Sequence, residues 1–220
     1  MNHKRILIVV TSASQMNPEK STGLWLSEFA EPYIEFSKQG YAITVASPLG
    51  GQTPIDGNSL SAETSQELLD TQKYLANTVK LDGVEAKDYD VIFLPGGHGT
   101  MFDFPDNEKL QTLLREFYEA DKVVAAVCHG PAALVNAKLS DGSYLVAGKR
   151  LTAFTNTEEK AAGLDAEMPF LLESKLREAG SEFVGSEDWS DHMEADGNLI
   201  TGQNPQSTLS VTKEVIARLG

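Results

Sequence analysis

Cys128 is the only cysteine among the 220 residues, and its surroundings suggest a reactive thiol. The run Val123-Val124-Ala125-Ala126-Val127 leads straight into it, and His129-Gly130-Pro131 comes at once after it. A short apolar run without polar alternation reads as a strand buried on both faces. Gly130-Pro131 then turns the chain sharply, and proline is tolerated in the first turn of the helix expected from Ala132 to about Leu139. Isolated free cysteines are most often inert and buried. One at a strand-to-helix turn lies at the carboxyl edge of a sheet, where α/β proteins place their sites. A helix amino terminus there lowers a thiol pKa and favours the nucleophilic thiolate. His129 should point away from Cys128 if the strand continued. At a sharp turn that rule weakens, and His129 can move protons beside a substrate while a carboxylate holds its other nitrogen.

A second stretch belongs at the same edge. The apolar run Asp90 to Leu94 opens into Pro95-Gly96-Gly97-His98-Gly99. Gly96 and Gly97 let backbone N–H groups approach a ligand and, with the N–H of His129, hold a developing oxyanion. The spacing fits neither a phosphate loop nor a dinucleotide loop. Carboxylates are numerous, so each is weak evidence. By pattern Glu28 falls on a Leu24, Glu28, Glu31, Glu35 stripe that reads as a solvated helix face. Glu158 and Glu159 come after an apolar run and can serve a site or simply favour a helix start. His192-x-Glu194 offers an alternative histidine–acid pair for a glutaminase, although its place before Asp196-Gly197 reads as a surface loop. The four histidines show no ligand spacing, so no metal and no cofactor is expected.

These groups need a scaffold. Buried strands are predicted at Arg5 to Thr11, Ala42 to Ser47, Asp90 to Leu94 and Val123 to Cys128. Shorter ones are predicted at Tyr144 to Val146, Arg150 to Phe154, Glu182 to Val184 and Leu199 to Thr201. Helices are predicted from a Ser21 or Thr22 cap to near Gly40, and at Glu63 to Ala76, Asn107 to Ala120, Pro169 to Ala179 and Pro205 to Leu219. Asp196-Gly197 reads as a hairpin turn between the last two strands. Strand and helix alternate throughout, which predicts one α/β domain over residues 1–220, doubly wound and flavodoxin-like, with a mostly parallel sheet sandwiched by helices.

Charge narrows the partners. Thirty-two acidic against 18 basic residues give a net charge of −14, so neither nucleic acid nor an anionic membrane is an expected partner. The basic start Met1 to Arg5 precedes an apolar run that reads as a first strand, not a signal peptide. No segment predicts a membrane span, and a lone cysteine suits a reducing, cytoplasmic setting.

The chain resembles the ThiJ/PfpI superfamily, also called class I glutamine-amidotransferase-like proteins. It is most similar to the branch of glutathione-independent glyoxalase III enzymes and stress chaperones. The matching residues are Lys20 to Glu28, Ala46 to Pro48, Asp90 to Gly99, Ala125 to Pro131, Thr152 to Glu159 and Asp196 to Pro205. The resemblance implies Cys128 as nucleophile, His129 as triad histidine, Glu159 rather than Glu158 as triad acid, and Glu28 as an acid bonded to the sulfur. It also implies Gly97 and His129 as oxyanion donors, a small electrophilic carbonyl substrate such as methylglyoxal, and a homodimer. Relatives that act as chaperones or cysteine redox sensors supply the alternative reading.

Overall fold

Seven strands form the central sheet of the computed structural model, which describes residues 4–220. Met1 to His3, the head of the basic start, lie outside the described residues. From one edge the strands run Met193–Asp196, Leu199–Gly202, Val123–Val127, Val91–Leu94, Arg5–Val9, Ala42–Ser47 and Val79–Lys80. All neighbours pair in parallel except the first two, which are antiparallel. This is the doubly wound, flavodoxin-like order expected, with a short antiparallel strand added at one edge.

Strand periodicity of two sorts the apolar residues into two cores. Ile6, Ile8, Val91, Phe93, Ala125 and Val127 face one layer, where Phe29 and Phe36 of the helix Leu26–Lys38 meet Val211 and Val215 of the helix Thr208–Leu219. Leu7, Val9, Ile92, Leu94, Val124 and Ala126 face the other, packed by Leu110, Leu113, Leu114 and Phe117 of the helix Glu108–Glu119. That helix has Asn107 as its N-cap, accepting the Leu110 N–H. Both faces of the middle strands are covered, so their runs are apolar without alternation.

Several expectations are corrected. The first helix begins after Trp25, beyond the Ser21 or Thr22 cap expected. Glu63 to Ala76 is broken into a short helix, Gln66–Asp70, and a 3-10 stretch, Thr71–Leu75. Tyr144 to Val146 is turn, joined to Lys138 by a single bridge. Of Arg150 to Phe154 only Arg150–Leu151 is strand, pairing with Glu182–Phe183 in a separate two-stranded sheet. The turn at Asp196-Gly197 is present, but it joins Leu199–Gly202 to Met193–Asp196, so Glu194 lies in the edge strand while His192 lies in the loop just before it. Three pairings have no counterpart among the predicted strands: the hairpin Gln15–Asn17 with Lys20–Ser21, the edge strand Val79–Lys80, and the opposite edge strand Met193–Asp196. All three are too short to show a period.

Candidate active site

Cys128 stands where the Val123–Val127 strand ends, with φ at +59°. This left-handed conformation is strained for a side chain with a Cβ and recurs at functional turns. Neighbours hold it on both sides: the Cys128 N–H donates to Gly202 O at 3.0 Å, and the Phe154 N–H donates to Cys128 O at 3.0 Å. The chain then turns so tightly that a Cβ on Gly130 would sit 2.1 Å from Leu94 O. The next segment is a 3-10 turn, Gly130–Leu134, and not the helix expected to reach Leu139. The expected lowering of the thiol pKa does not occur either. Burial, and after it the Glu28 carboxyl, push the Cys128 thiol well up, so it rests protonated.

The sharp turn brings His129 back to its neighbour. Its Nδ1 lies 3.3 Å from Cys128 Sγ, and its Nε2 lies 2.6 Å from Glu159 Oε2. Glu159 reaches this position from the first turn of the helix Asn156–Ala161, which Thr155 starts with a capping box. The other oxygen, Oε1, lies 2.6 Å from Nε2 of His98. Burial opposes ionisation of Glu159, but the two imidazoles outweigh it and hold the carboxyl at about 2. Burial, then His98, lower His129 to about 4, so its ring is neutral at pH 7. An ionised carboxylate only accepts, so each Nε2 must carry its proton toward Glu159. Nδ1 of His129 is left with a free lone pair facing the sulfur.

Glu28 approaches from the first turn of the helix Leu26–Lys38 and is fully buried. Its Oε2 accepts the Gly96 N–H at 2.6 Å. Its Oε1 is buried without a well-formed partner among the described residues, and the Cys128 thiol is its other polar influence. Burial raises this carboxyl to about 8, against the lowering effect of the Gly96 N–H and the thiol, so it is protonated at neutral pH. A Cβ on Gly96 would come 2.6 Å from the His129 nitrogen and 2.8 Å from Glu28 Oε2. Gly97 holds φ at +98° against the Gly23 carbonyl. Thr100 Oγ1 lies 2.9 Å from both the Gly97 and His129 carbonyl oxygens, tying the glycine loop to the elbow.

A cavity of about 280 Å³ opens over these groups, lined by Cys128, His98, His129 and Gly97 on its floor. Trp25, Phe154 and Trp189 make aromatic walls, and Asp56 adds a carboxylate. That carboxylate accepts the Asn58 N–H at 2.9 Å and the Thr22 hydroxyl at 3.3 Å. The structure therefore brings together Cys128, His129, Glu159, Glu28, Gly96 and Gly97. It sets Glu158 apart: its Oε1 accepts the Trp189 N–H and the Gln203 and Asn204 amides, and its Oε2 accepts the Thr155 N–H. His192 and Glu194 do not line this cavity, and Glu194 is bound by Arg150. Sequence reasoning missed His98 as a site residue; a histidine inside a glycine loop at the right sheet edge was the available signal. The fold also creates a proximity that spacing does not show, since ligand-type atoms of His98, His129 and Glu159 lie within 4.8 Å of one another. Both rings already bond the carboxylate, so an ion there would have to displace those hydrogen bonds.

A parallel sheet with a cysteine elbow, a histidine beside it and a glycine loop across from it defines a class of α/β proteins. The chain belongs to the DJ-1/PfpI family, whose model matches residues 22–218. Among curated proteins it is 32% identical to glyoxalase 3 of Candida albicans, covering 97% of each chain. It is 33% identical to a glutathione-independent glyoxalase of Schizosaccharomyces pombe, over 89% of this chain and 87% of the other. Among solved structures, the 24 kDa rapid encystment protein of Francisella tularensis superposes with a TM-score of 0.91 at 37% identity, covering 99% of each chain. Glyoxalase III from Candida albicans superposes at 0.87 with 29% identity, over 97% and 96% of the two chains.

Proposed function

We propose that this chain is a glutathione-independent glyoxalase that converts a 2-oxoaldehyde, R–CO–CHO, and water to the 2-hydroxy acid, R–CHOH–COOH. The observation that carries the reading is the Cys128 Sγ to His129 Nδ1 approach of 3.3 Å, with the other face of the ring fixed by Glu159. Sulfur adds to the aldehyde carbon as Nδ1 takes the thiol proton, and the new alkoxide gains a proton to give a hemithioacetal. The N–H groups of Gly97 and His129 stabilise the oxyanion on the way. His129 then removes the proton from C1, an enediol forms, and protonation at C2 leaves a thioester. Water cleaves the C–S bond, releasing the acid and restoring the thiol. The carbon skeleton oxidises C1 and reduces C2, so no external oxidant or cofactor enters the balance.

Protonated Glu28 keeps negative charge away from the sulfur before attack and donates a proton to the sulfur side when it leaves. The buried, protonated thiol supports this base-assisted enzyme over an oxidation sensor, which works best with an exposed, low-pKa thiolate. His192 Nε2 lies 3.2 Å from Glu194 Oε1, but neither residue lines the cavity of Cys128, which counts against a glutaminase built on His192. The reading includes a homodimer working in a reducing cytoplasm, which the single free cysteine suits; light scattering of the purified protein reads the dimer mass. No helix among the described residues is long and apolar enough to cross a membrane.

The test is direct. Purified protein should consume methylglyoxal without glutathione and release lactate, and Cys128→Ser should abolish both. Absence of turnover in the parent protein overturns the assignment.

A further inference from the structure

Three features of the cavity have no role in the conversion of methylglyoxal. The first is size. A water molecule takes about 30 Å³ in the liquid, and the five heavy atoms of methylglyoxal leave much of the cavity's roughly 280 Å³ unfilled. The second is the wall over the floor. Phe154 packs against the His129 ring with centroids 4.3 Å apart, and Trp189 meets Phe154 edge to face at 5.5 Å. Trp189 is nonetheless 42% exposed, so its indole is not simply core.

The third is how that indole is held. Trp189 has φ at +63°, a conformation that bulky residues avoid. Its backbone N–H donates to Glu158 Oε1 at 2.9 Å. Glu158 is fully buried, and the same oxygen accepts the Gln203 and Asn204 side-chain amides at 3.0 and 2.9 Å. Those amides in turn grip the 186–190 loop: Asn204 donates to Ser190 O at 2.7 Å, and Gln203 accepts the Ser186 N–H at 2.8 Å. A buried carboxylate and two buried amides are spent on keeping one tryptophan over the cavity. Backbone strain of this kind persists only where the surroundings over-determine it.

The geometry points to a 2-oxoaldehyde carrying an aromatic or bulky apolar substituent as the preferred substrate, with Trp189 reading the substituent and Glu158 acting as its positioning residue. This inference rests on the glyoxalase reading and names the substrate class of that same site. The substituent R stays on C2 throughout and takes no part in the bonds made or broken. It lies against Phe154 and the indole, where offset or edge-to-face ring contacts add to burial.

The experiment compares kcat/KM for phenylglyoxal and methylglyoxal, without glutathione, in the parent protein and in two Trp189 variants. Trp189→Gly removes the indole while accepting the positive φ, so the loop keeps its backbone; Trp189→Phe keeps an aromatic face. The parent should favour phenylglyoxal. Trp189→Gly should lower the phenylglyoxal-to-methylglyoxal ratio about tenfold, mainly through KM, and Trp189→Phe should recover most of it. Using the ratio of ratios cancels the different intrinsic reactivities of the two aldehydes. Glu158→Gln should move the same ratio in the same direction, whereas a merely structural loss lowers kcat for both substrates alike. An unchanged ratio in Trp189→Gly, or an equal fall for both aldehydes, overturns the inference while leaving the glyoxalase reading in place. Failure of the parent to turn over either aldehyde overturns both.

Discussion

Glu28 and Glu159 are two buried carboxyls around one thiol, and their environments drive them in opposite directions. Glu28 receives one strong backbone N–H and is raised to about 8. Glu159 receives two imidazole N–H groups and is held at about 2. Burial opposes the charged form at both, so the difference lies in the donors each oxygen finds. Pairs of titratable groups pushed apart in this way divide acid from base. Here the ionised member orients the histidine, and the protonated member faces the sulfur.

The strongest way to break this division is Glu159→Gln. An amide must donate from one end, which forces one of the two rings to accept at Nε2; where that ring is His129, its proton moves to Nδ1 and the lone pair that faces the thiol is lost. We expect kcat to fall by up to about ten-thousandfold, as in other triads whose acid becomes an amide, with little change in KM by steady-state kinetics. Glu28→Gln attacks the other member. It keeps a donor facing the sulfur but loses the acid, and kcat/KM should drop about ten- to a hundredfold.

The same variant should be more stable than the parent. A carboxyl raised in the fold binds its proton more tightly than in the unfolded chain, so it costs stability as pH rises from 4.5 toward 8. Removing it should raise stability at pH 7 by up to about 3 kcal/mol, an advantage that shrinks as pH falls to 4.5. Urea titrations at several pH values measure this. Glu159 has the opposite sign: its stabilisation is present above pH 4.5 and is lost as pH falls through about 2.

A smaller effect belongs to pH alone. Above about pH 8 Glu28 ionises against the sulfur, so activity should fall there, about tenfold by one pH unit higher. Glu28→Gln should lose that alkaline limb; a limb that survives would reassign it to another group. The smallest effect is reserved for the other histidine–glutamate pair. His192→Ala should leave kcat/KM within about twofold, because neither His192 nor Glu194 lines the cavity. A large loss would move the base to His192 and undo the comparison.

How much of this was legible in the sequence depended on how local the signal was. The elbow was readable because its strand, its glycine–proline turn and its cysteine are contiguous. The glycine loop was placed beside it by its own strand. Glu28 was not readable by pattern, since its stripe of glutamates looks solvated. The helix start is instead pressed against Gly96, a contact between residues far apart in the chain, and only the family resemblance anticipated it. Glu158 and Glu159 are adjacent, and a helix start sends one toward the 186–190 loop and the other toward two rings; spacing carries no trace of that choice. The helix expected after Cys128 failed because Gly130 must pass against Leu94 O and the alanines beyond it pack tightly on the sheet end.

Asp56 has one more consequence. The substrate enters uncharged, but the acid that forms is an anion at neutral pH, in a small cavity lined by Asp56 and backed, behind His98 and His129, by the ionised Glu159, in a chain of net charge −14. Like charges repel more strongly where water is scarce. Chemistry thus converts a neutral molecule into an anion for which this acidic surrounding has less affinity, which favours product release without any moving part.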